Sequence, residues 1–328
     1  MYPDVPLVVS VLMTVLGLWL LAWSANRFVD AAAELSVRFG VPQFVIGMVV
    51  IGFGTSAPEM AVSALSSASG HSSLSLGNAY GSNIYNIAVI LGAVALIKPV
   101  VTRSLTSFAS MLLLTGVSLL SGFLVWQGGE FSRIDALISL AAFGVLLPVS
   151  CWLERKAGGA PADAPVEAGN IKHPWAWTLA GLSLLVGSSH FLVWGAVDIA
   201  RAAGVSELMV GLTVVAAGTS LPELASAVVS ARKGQNDFVL GNIVGSNFFN
   251  TLAVVGISGL IRPFSCQGGY VLTRDLWTMV ALSATIAVFG CNFRNFKEPG
   301  VLNGVKGAVW IVSFIVYLVF LFMHEQNG

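Results

Sequence analysis

The sequence predicts an all-α, polytopic membrane protein: ten transmembrane helices forming two five-helix repeats of inverted topology. Composition sets the class. Hydrophobic residues make up 56% of the 328 positions and charged residues only 10%, with a mean hydropathy of +0.84, well above the range of soluble domains. The second observation is a set of apolar stretches near the roughly 20 residues that cross a bilayer. The third is an internal duplication: Gly54-Thr55-Ser56-Ala57-Pro58-Glu59 returns as Gly218-Thr219-Ser220-Leu221-Pro222-Glu223. Gly77-Asn78-Ala79-Tyr80-Gly81-Ser82-Asn83-Ile84-Tyr85-Asn86 likewise returns as Gly241-Asn242-Ile243-Val244-Gly245-Ser246-Asn247-Phe248-Phe249-Asn250. One register aligns Gly40 to Pro99 with Gly204 to Pro263, and roughly 23 of about 60 positions are identical.

The ten spans fall at about 6–25, 41–68, 73–97, 104–126, 134–153, 175–197, 205–231, 237–261, 271–291 and 303–323. The first lacks the basic start and small-residue cleavage pattern of a removable signal peptide. Residues 154–174, rich in Ala, Gly and Pro, read as a flexible linker. The chain thus divides into a first repeat at 1–153, a linker at 154–174 and a second repeat at 175–328.

Five spans per repeat is an odd number, so the second repeat enters the membrane from the opposite side. Of the 16 Lys and Arg residues, Arg133, Arg201, Arg262 and Arg274 fall on one side. The rest, including Arg38, Arg155, Lys156, Lys172 and Lys233, fall on the other. By the positive-inside rule the richer side is cytoplasmic, which places the linker inside and both termini outside. A bacterial inner membrane is the expected location. Asp30, Glu34, Asp198 and Glu207 lie near span ends and are expected to be solvated. Cys151, Cys266 and Cys291 share no ligand spacing and read as packing residues, as do the scattered His71, His173, His190 and His324.

The site is expected where both copies put a carboxylate, hydroxyls and carboxamides inside apolar spans, since ionisable groups at that depth are costly and mark ion or substrate sites. On a helix, Thr55 and Ser56 share a face with Glu59, and Thr219 and Ser220 share one with Glu223. Pro58 and Pro222 each remove a backbone donor, which is expected to free carbonyl oxygens beside the glutamate. On the following span Asn78, Ser82 and Asn86 recur every four residues, matched by Asn242, Ser246 and Asn250. Alternatives stay open: a hydroxyl can bond its own backbone, glycines can serve close helix packing, and asparagines can tie helices together.

The donors gathered in this way are hard oxygens, suited to Ca2+ and also to Na+, with nothing soft enough to prefer copper or zinc. Two carboxylates match one divalent cation or several monovalent ones, and competition between those fillings is a basis for exchange. A Na+-driven Ca2+ antiporter is the first reading. A Ca2+/H+ antiporter using the same glutamates is the alternative, and a cation channel or an intramembrane serine hydrolase follows. The hydrolase lacks a His or Lys base in the motifs. Zero net charge gives no reason to expect nucleic acid. No ATP or cofactor motif is present, so no enzyme activity, no cofactor and no obligate protein partner is expected. The partners are the inorganic cations and the lipid bilayer.

Both blocks resemble the alpha repeats of the sodium/calcium exchanger branch of the Ca2+/cation antiporter superfamily, and the whole chain is similar to its compact prokaryotic members. The resemblance implies ten helices, four of them packed around the ions, with the first and sixth sliding across that core to alternate access. It implies that Glu59 and Glu223 are the shared Ca2+ and Na+ ligands. Thr55, Ser56, Thr219, Ser220, Ser82 and Ser246 would supply further oxygens, backbone carbonyls near Gly52 and Ala216 would assist, and Asn86 would line the centre. At Asn250 the chain departs from the many members that carry Asp there. That argues against K+ as a further cargo, because K+-carrying relatives are expected to hold an acid at this position.

Overall fold

The computed structural model describes residues 6–70, 72–102, 105–126, 130–156, 171–204, 216–265, 274–293, 295 and 298–325. Helix is the dominant structure, because apolar segments in a bilayer must satisfy every backbone donor and acceptor internally. Helix α1 (Leu7–Phe39) opens the chain. Helix α2 (Gln43–Thr55) includes a π turn at Gly47–Ile51, and α3 (Ala57–Ala68) follows at a 44° bend. Helix α4 starts as Ser72–Tyr85 and runs through a π turn at Asn86–Leu91 to Ile97. Strand β1 (Val100–Thr102), α5 (Leu105–Trp126), β2 (Glu130–Phe131) and α6 (Arg133–Lys156) complete the first half.

The described elements of the second half follow in a similar order. It comprises α7 (Pro174–Ala202), α8 (Ala216–Thr219), α9 (Leu221–Arg232) and α10, which starts as Asn236–Phe248 and passes through a π turn at Phe249–Val254 to Ile261. Strand β3 (Phe264–Ser265), α11 (Leu276–Gly290), β4 (Gly300–Leu302) and α12 (Gly304–Glu325) follow. Where they are described, the predicted stretches are helical apart from some of their ends and the breaks at Ser56 and Ser220. Among the described residues, seven helices are long and apolar enough to cross a membrane, or eight if the bent α2–α3 pair is counted as one span. Helix α11 has only 15 residues, and residues 205–215 of the predicted seventh span lie outside the described residues, as does most of the predicted linker.

Two short antiparallel ladders, absent from the all-α expectation, clasp the halves together. Strand β1 pairs with β4 (Val100↔Leu302) and β2 pairs with β3 (Phe131↔Phe264). Phe131 and Phe264 stack across the second ladder with ring centroids 5.2 Å apart. Burial then orders the helices. The most apolar stretch of α10 is 100% buried and that of α4 is 67% buried, against 11% for α12. So α10 and α4 form the core while α12 faces outward.

Helices α1 and α7 form the most extensive helix pair. A Cβ on Gly17 would lie 2.8 Å from the Leu192 amide nitrogen, and one on Gly181 would lie 3.0 Å from the Phe28 Cα. Glycine therefore lets two antiparallel backbones touch where any side chain would hold them apart. This pair meets the core through a separate apolar cluster that includes Leu21, Phe28, Ile46, Ile51, Leu185 and Phe238. Glu34 corrects the expectation of solvated acids: it is buried, and Arg38, one helical turn on, donates to it at 2.7 Å.

Candidate ion site at two helix breaks

Helix α2 ends at Ser56 (φ −83°, ψ 0°), and α8 ends at Ser220 (φ −94°, ψ 10°). The prolines do not sit in a helix interior. Pro58 and Pro222 fall in the first turns of α3 and α9, where the missing amide would have had no helical partner. The Ser56 amide still reaches the Gly52 carbonyl at 3.1 Å, and the Met60 amide takes the Ser56 carbonyl at 3.1 Å. The break is thus a change of direction with its ends largely satisfied, and the Gly52 carbonyl, which the resemblance implies would assist the site, already accepts the Ser56 amide.

Glu59 and Glu223 stand in those first turns, where the partial positive charge of a helix N-terminus favours a carboxylate. Both are fully buried. Each is approached by the serine of the opposite half: Ser56 Oγ donates to Glu223 Oε1 at 3.4 Å, and Ser220 Oγ donates to Glu59 Oε1 at 3.5 Å. Thr55 Oγ1 donates to the Ile51 carbonyl at 3.0 Å and lies 3.5 Å from Ser246 Oγ. Ser246 in turn reaches the Gly52 carbonyl at 3.4 Å. The structure therefore brings Thr55, Ser56, Glu59, Ser220, Glu223, Ser246 and Gly52 into one hydrogen-bonded neighbourhood.

Close backbone approach makes this possible. A Cβ on Gly241 would collide with the Phe44 carbonyl, and one on Gly245 with the Met48 carbonyl, so the motif glycines of α10 seat it directly on α2. The equivalent partner segment for Gly77 and Gly81 would fall within 205–215, outside the described residues. Ser82 is buried on α4. Thr219 is half-buried and Ala216 begins α8. Asn86 opens the π turn of α4 and Asn250 lies in that of α10. π turns interrupt regular helical hydrogen bonding and recur at functional sites.

Asn78 and Asn242 act on the backbone of the glutamates. Asn78 Nδ2 donates to Ser63 Oγ at 3.0 Å and to the Glu59 carbonyl at 3.5 Å. Asn242 Nδ2 donates to Ser226 Oγ at 3.1 Å and to the Glu223 carbonyl at 3.4 Å. Sequence reasoning missed Ser63 and Ser226 because the duplication register does not match them: one lies four residues after its glutamate and the other three. Both offsets land on one helix face, so a search for serine one turn beyond the glutamate would have found them.

Among the described residues, several buried polar atoms have no hydrogen-bond partner: Glu59 Oε2, Glu223 Oε2, Asn86 Oδ1 and both amide atoms of Asn250. Asn86 Nδ2 is held by Asn247 Oδ1 at 3.1 Å, which leaves its own oxygen unengaged. An unpaired buried carboxylate oxygen is costly enough to call for a cation or a proton. Among the described residues no Lys or Arg pairs with either glutamate.

Fold and site together define a polytopic membrane protein with a pair of buried carboxylates at its core. The sequence model for the sodium/calcium exchanger protein family matches residues 9–152 and 173–323. The chain is 35% identical over 319 residues to the inner membrane protein YrbG of Escherichia coli, covering 94% of this chain and 96% of that one. It is 26% identical over 359 residues to the sodium/calcium exchanger MaX1 of Methanosarcina acetivorans, covering 96% and 99%. Its fold is similar to a solved structure of the sodium-calcium exchanger NCX_Mj, with a TM-score of 0.81 at 26% identity, covering 96% and 99%. The chain belongs to the sodium/calcium exchanger family and is a multi-pass cation antiporter.

Proposed function

We propose that this protein exchanges Na+ for Ca2+ by alternating access at a site centred on Glu59 and Glu223. The observation that carries this reading is reciprocal. Each glutamate receives a serine hydroxyl from the other half on one oxygen, while its second oxygen is buried without a partner among the described residues. Two open carboxylate oxygens suit one Ca2+ or more than one Na+, but not both fillings together. Ser56, Ser220, Thr55, Thr219, Ser82 and Ser246 complete the oxygen shell, the carbonyls of Gly52 and Ala216 support it, and Asn86 and Asn250 line it.

In this reading the chain forms ten transmembrane helices, with a first repeat at 1–153 and a second at 175–328 in opposite orientation. The linker is cytoplasmic and both termini lie outside, in a bacterial inner membrane. The crossed ladders, β1 with β4 and β2 with β3, support a two-fold relation between halves. The tight α1–α7 contact and its separate apolar interface with the core support movement of that pair as one body. A Ca2+/H+ antiporter is the second reading, because a proton can also neutralise a buried carboxylate that has no fixed cation beside it.

Uptake of radiolabelled Ca2+ into proteoliposomes separates the two. Uptake that requires internal Na+ and is lost in Glu59→Gln and Glu223→Gln fits the first reading. Uptake that follows an imposed pH gradient without Na+ fits the second. Flux indifferent to any counter-ion overturns both.

A further inference from the structure

At the end of α1, Gly40 adopts φ 58°, a conformation open to glycine at low cost, and the Val41 amide closes on the Ser36 carbonyl at 2.9 Å. The chain turns there into α2. Helix α6 passes this turn with Pro148 in its interior, a residue with no amide for the preceding turn. Between them lies a cleft of about 620 Å3 walled by Phe39, Val45, Val49, Pro148, Trp152 and Trp175, with Arg155 at its edge. Arg155 also borders an adjoining cavity of about 230 Å3 beside Gly40 and Pro42.

The charges around this cleft are one-sided. Arg155 makes no hydrogen bond or ion pair among the described residues. Lys156 lies over the Trp152 ring, 4.9 Å from its centroid, and Lys172 is exposed nearby in the chain, two residues before α7. The neighbouring acids are engaged elsewhere: Glu34 with Arg38 at 2.7 Å, and Glu154 with Ser110 at 3.1 Å. Trp152 is 56% exposed and Trp175 is 53% exposed, as aromatic side chains at the headgroup level of a bilayer are.

We propose that this cleft binds one anionic diacyl phospholipid of the adjacent leaflet, with an acyl chain along the apolar wall and its phosphate on Arg155. The guanidinium fork fits phosphate in a bidentate geometry that a lysine does not reproduce. Basic clefts between membrane helices on the positively charged side are suited to acidic headgroups. The site is independent of which ions the protein exchanges.

The test is native mass spectrometry of the full chain in detergent with equal amounts of phosphatidylglycerol and phosphatidylcholine. Phosphatidylglycerol is expected to be retained in preference, and Arg155→Gln to reduce its retention about fivefold. Arg133→Gln, at the opposite end of α6, is expected to leave it unchanged. Equal retention of the two lipids, or equal loss in both variants, overturns the proposal. So does failure to retain either lipid. Should Arg155→Gln not remain monodisperse, tryptophan quenching by brominated lipids reads the same contact in the wild-type sequence. Stronger quenching by phosphatidylglycerol than by phosphatidylcholine, lost in the Trp152→Phe/Trp175→Phe double variant, is expected, and no difference between the lipids overturns it.

Discussion

Ser56 and Glu223 lie 167 positions apart in the chain and meet at 3.4 Å. Their counterparts Ser220 and Glu59 meet at 3.5 Å. Each half therefore supplies a serine hydroxyl to the other's carboxylate.

At the proposed site, replacing either glutamate by glutamine removes one ligand charge while keeping the shape. Glu59→Gln and Glu223→Gln are each expected to weaken Ca2+ binding by about a hundredfold or more, since ligand charge count sets affinity at oxygen sites over decades. Thermal stability should hold or rise, because a buried carboxylate oxygen without a donor is replaced by a neutral amide. Ca2+ titration of exchange and a melting curve on the same preparation check both parts.

Ser56→Ala and Ser220→Ala should behave as equivalents. At 3.4 and 3.5 Å these hydrogen bonds are long, so each is worth about 1 kcal/mol, or roughly fivefold in apparent Ca2+ affinity. Unequal effects of more than about tenfold between the two variants would contradict the reciprocal arrangement. Competition of Na+ with Ca2+ in each variant supplies the measurement.

Helix α10 rests on α2 through glycine. Gly241→Ala and Gly245→Ala place a methyl group against the Phe44 and Met48 carbonyls, and are expected to cost about 1–3 kcal/mol through overpacking. Gly144→Ala on α6, with nothing within 4 Å of the new Cβ, should be neutral or gain up to about 1 kcal/mol from helix propensity. Thermal unfolding of the three variants in one detergent ranks them.

Lys233, at the end of α9, donates to Asp30 of α1 at 2.6 Å. Both side chains are partly exposed, so Asp30→Asn should change stability by less than about 1 kcal/mol. If α1 moves past α9 during exchange, the same variant alters the exchange rate well beyond its effect on melting. Parallel transport and melting measurements decide this, and the effect of the wild-type pair should shrink with added salt.

Much of the candidate site is legible in the sequence. The matched Glu59 and Glu223, with their hydroxyls and the asparagine ladder, stood out because carboxylates are rare in apolar spans and a duplication marks them twice. Ser63 and Ser226 escaped because the register that aligns the repeats skips them. The ladders β1–β4 and β2–β3 escaped because strands of two or three residues carry no periodic signal, and their partners lie more than a hundred residues away. Glu34 reads as solvated in the sequence because burial by helix packing is not written in a local pattern. The first turns of α3 and α9 likewise assign Pro58 and Pro222 to helix starts, which the sequence could not distinguish from interior breaks.

By itself the sequence determined the class of this protein and the residue types at its centre, because hydropathy, span length and duplication are properties of the chain read in order. Tertiary structure decided which oxygens meet. That Ser56 serves Glu223 rather than Glu59, that α10 sits on α2 through Gly241 and Gly245, and that Asn250 keeps both amide atoms unpartnered follow from how the two halves cross. Contacts between residues more than 150 positions apart are fixed by packing geometry, and no local propensity or spacing encodes them.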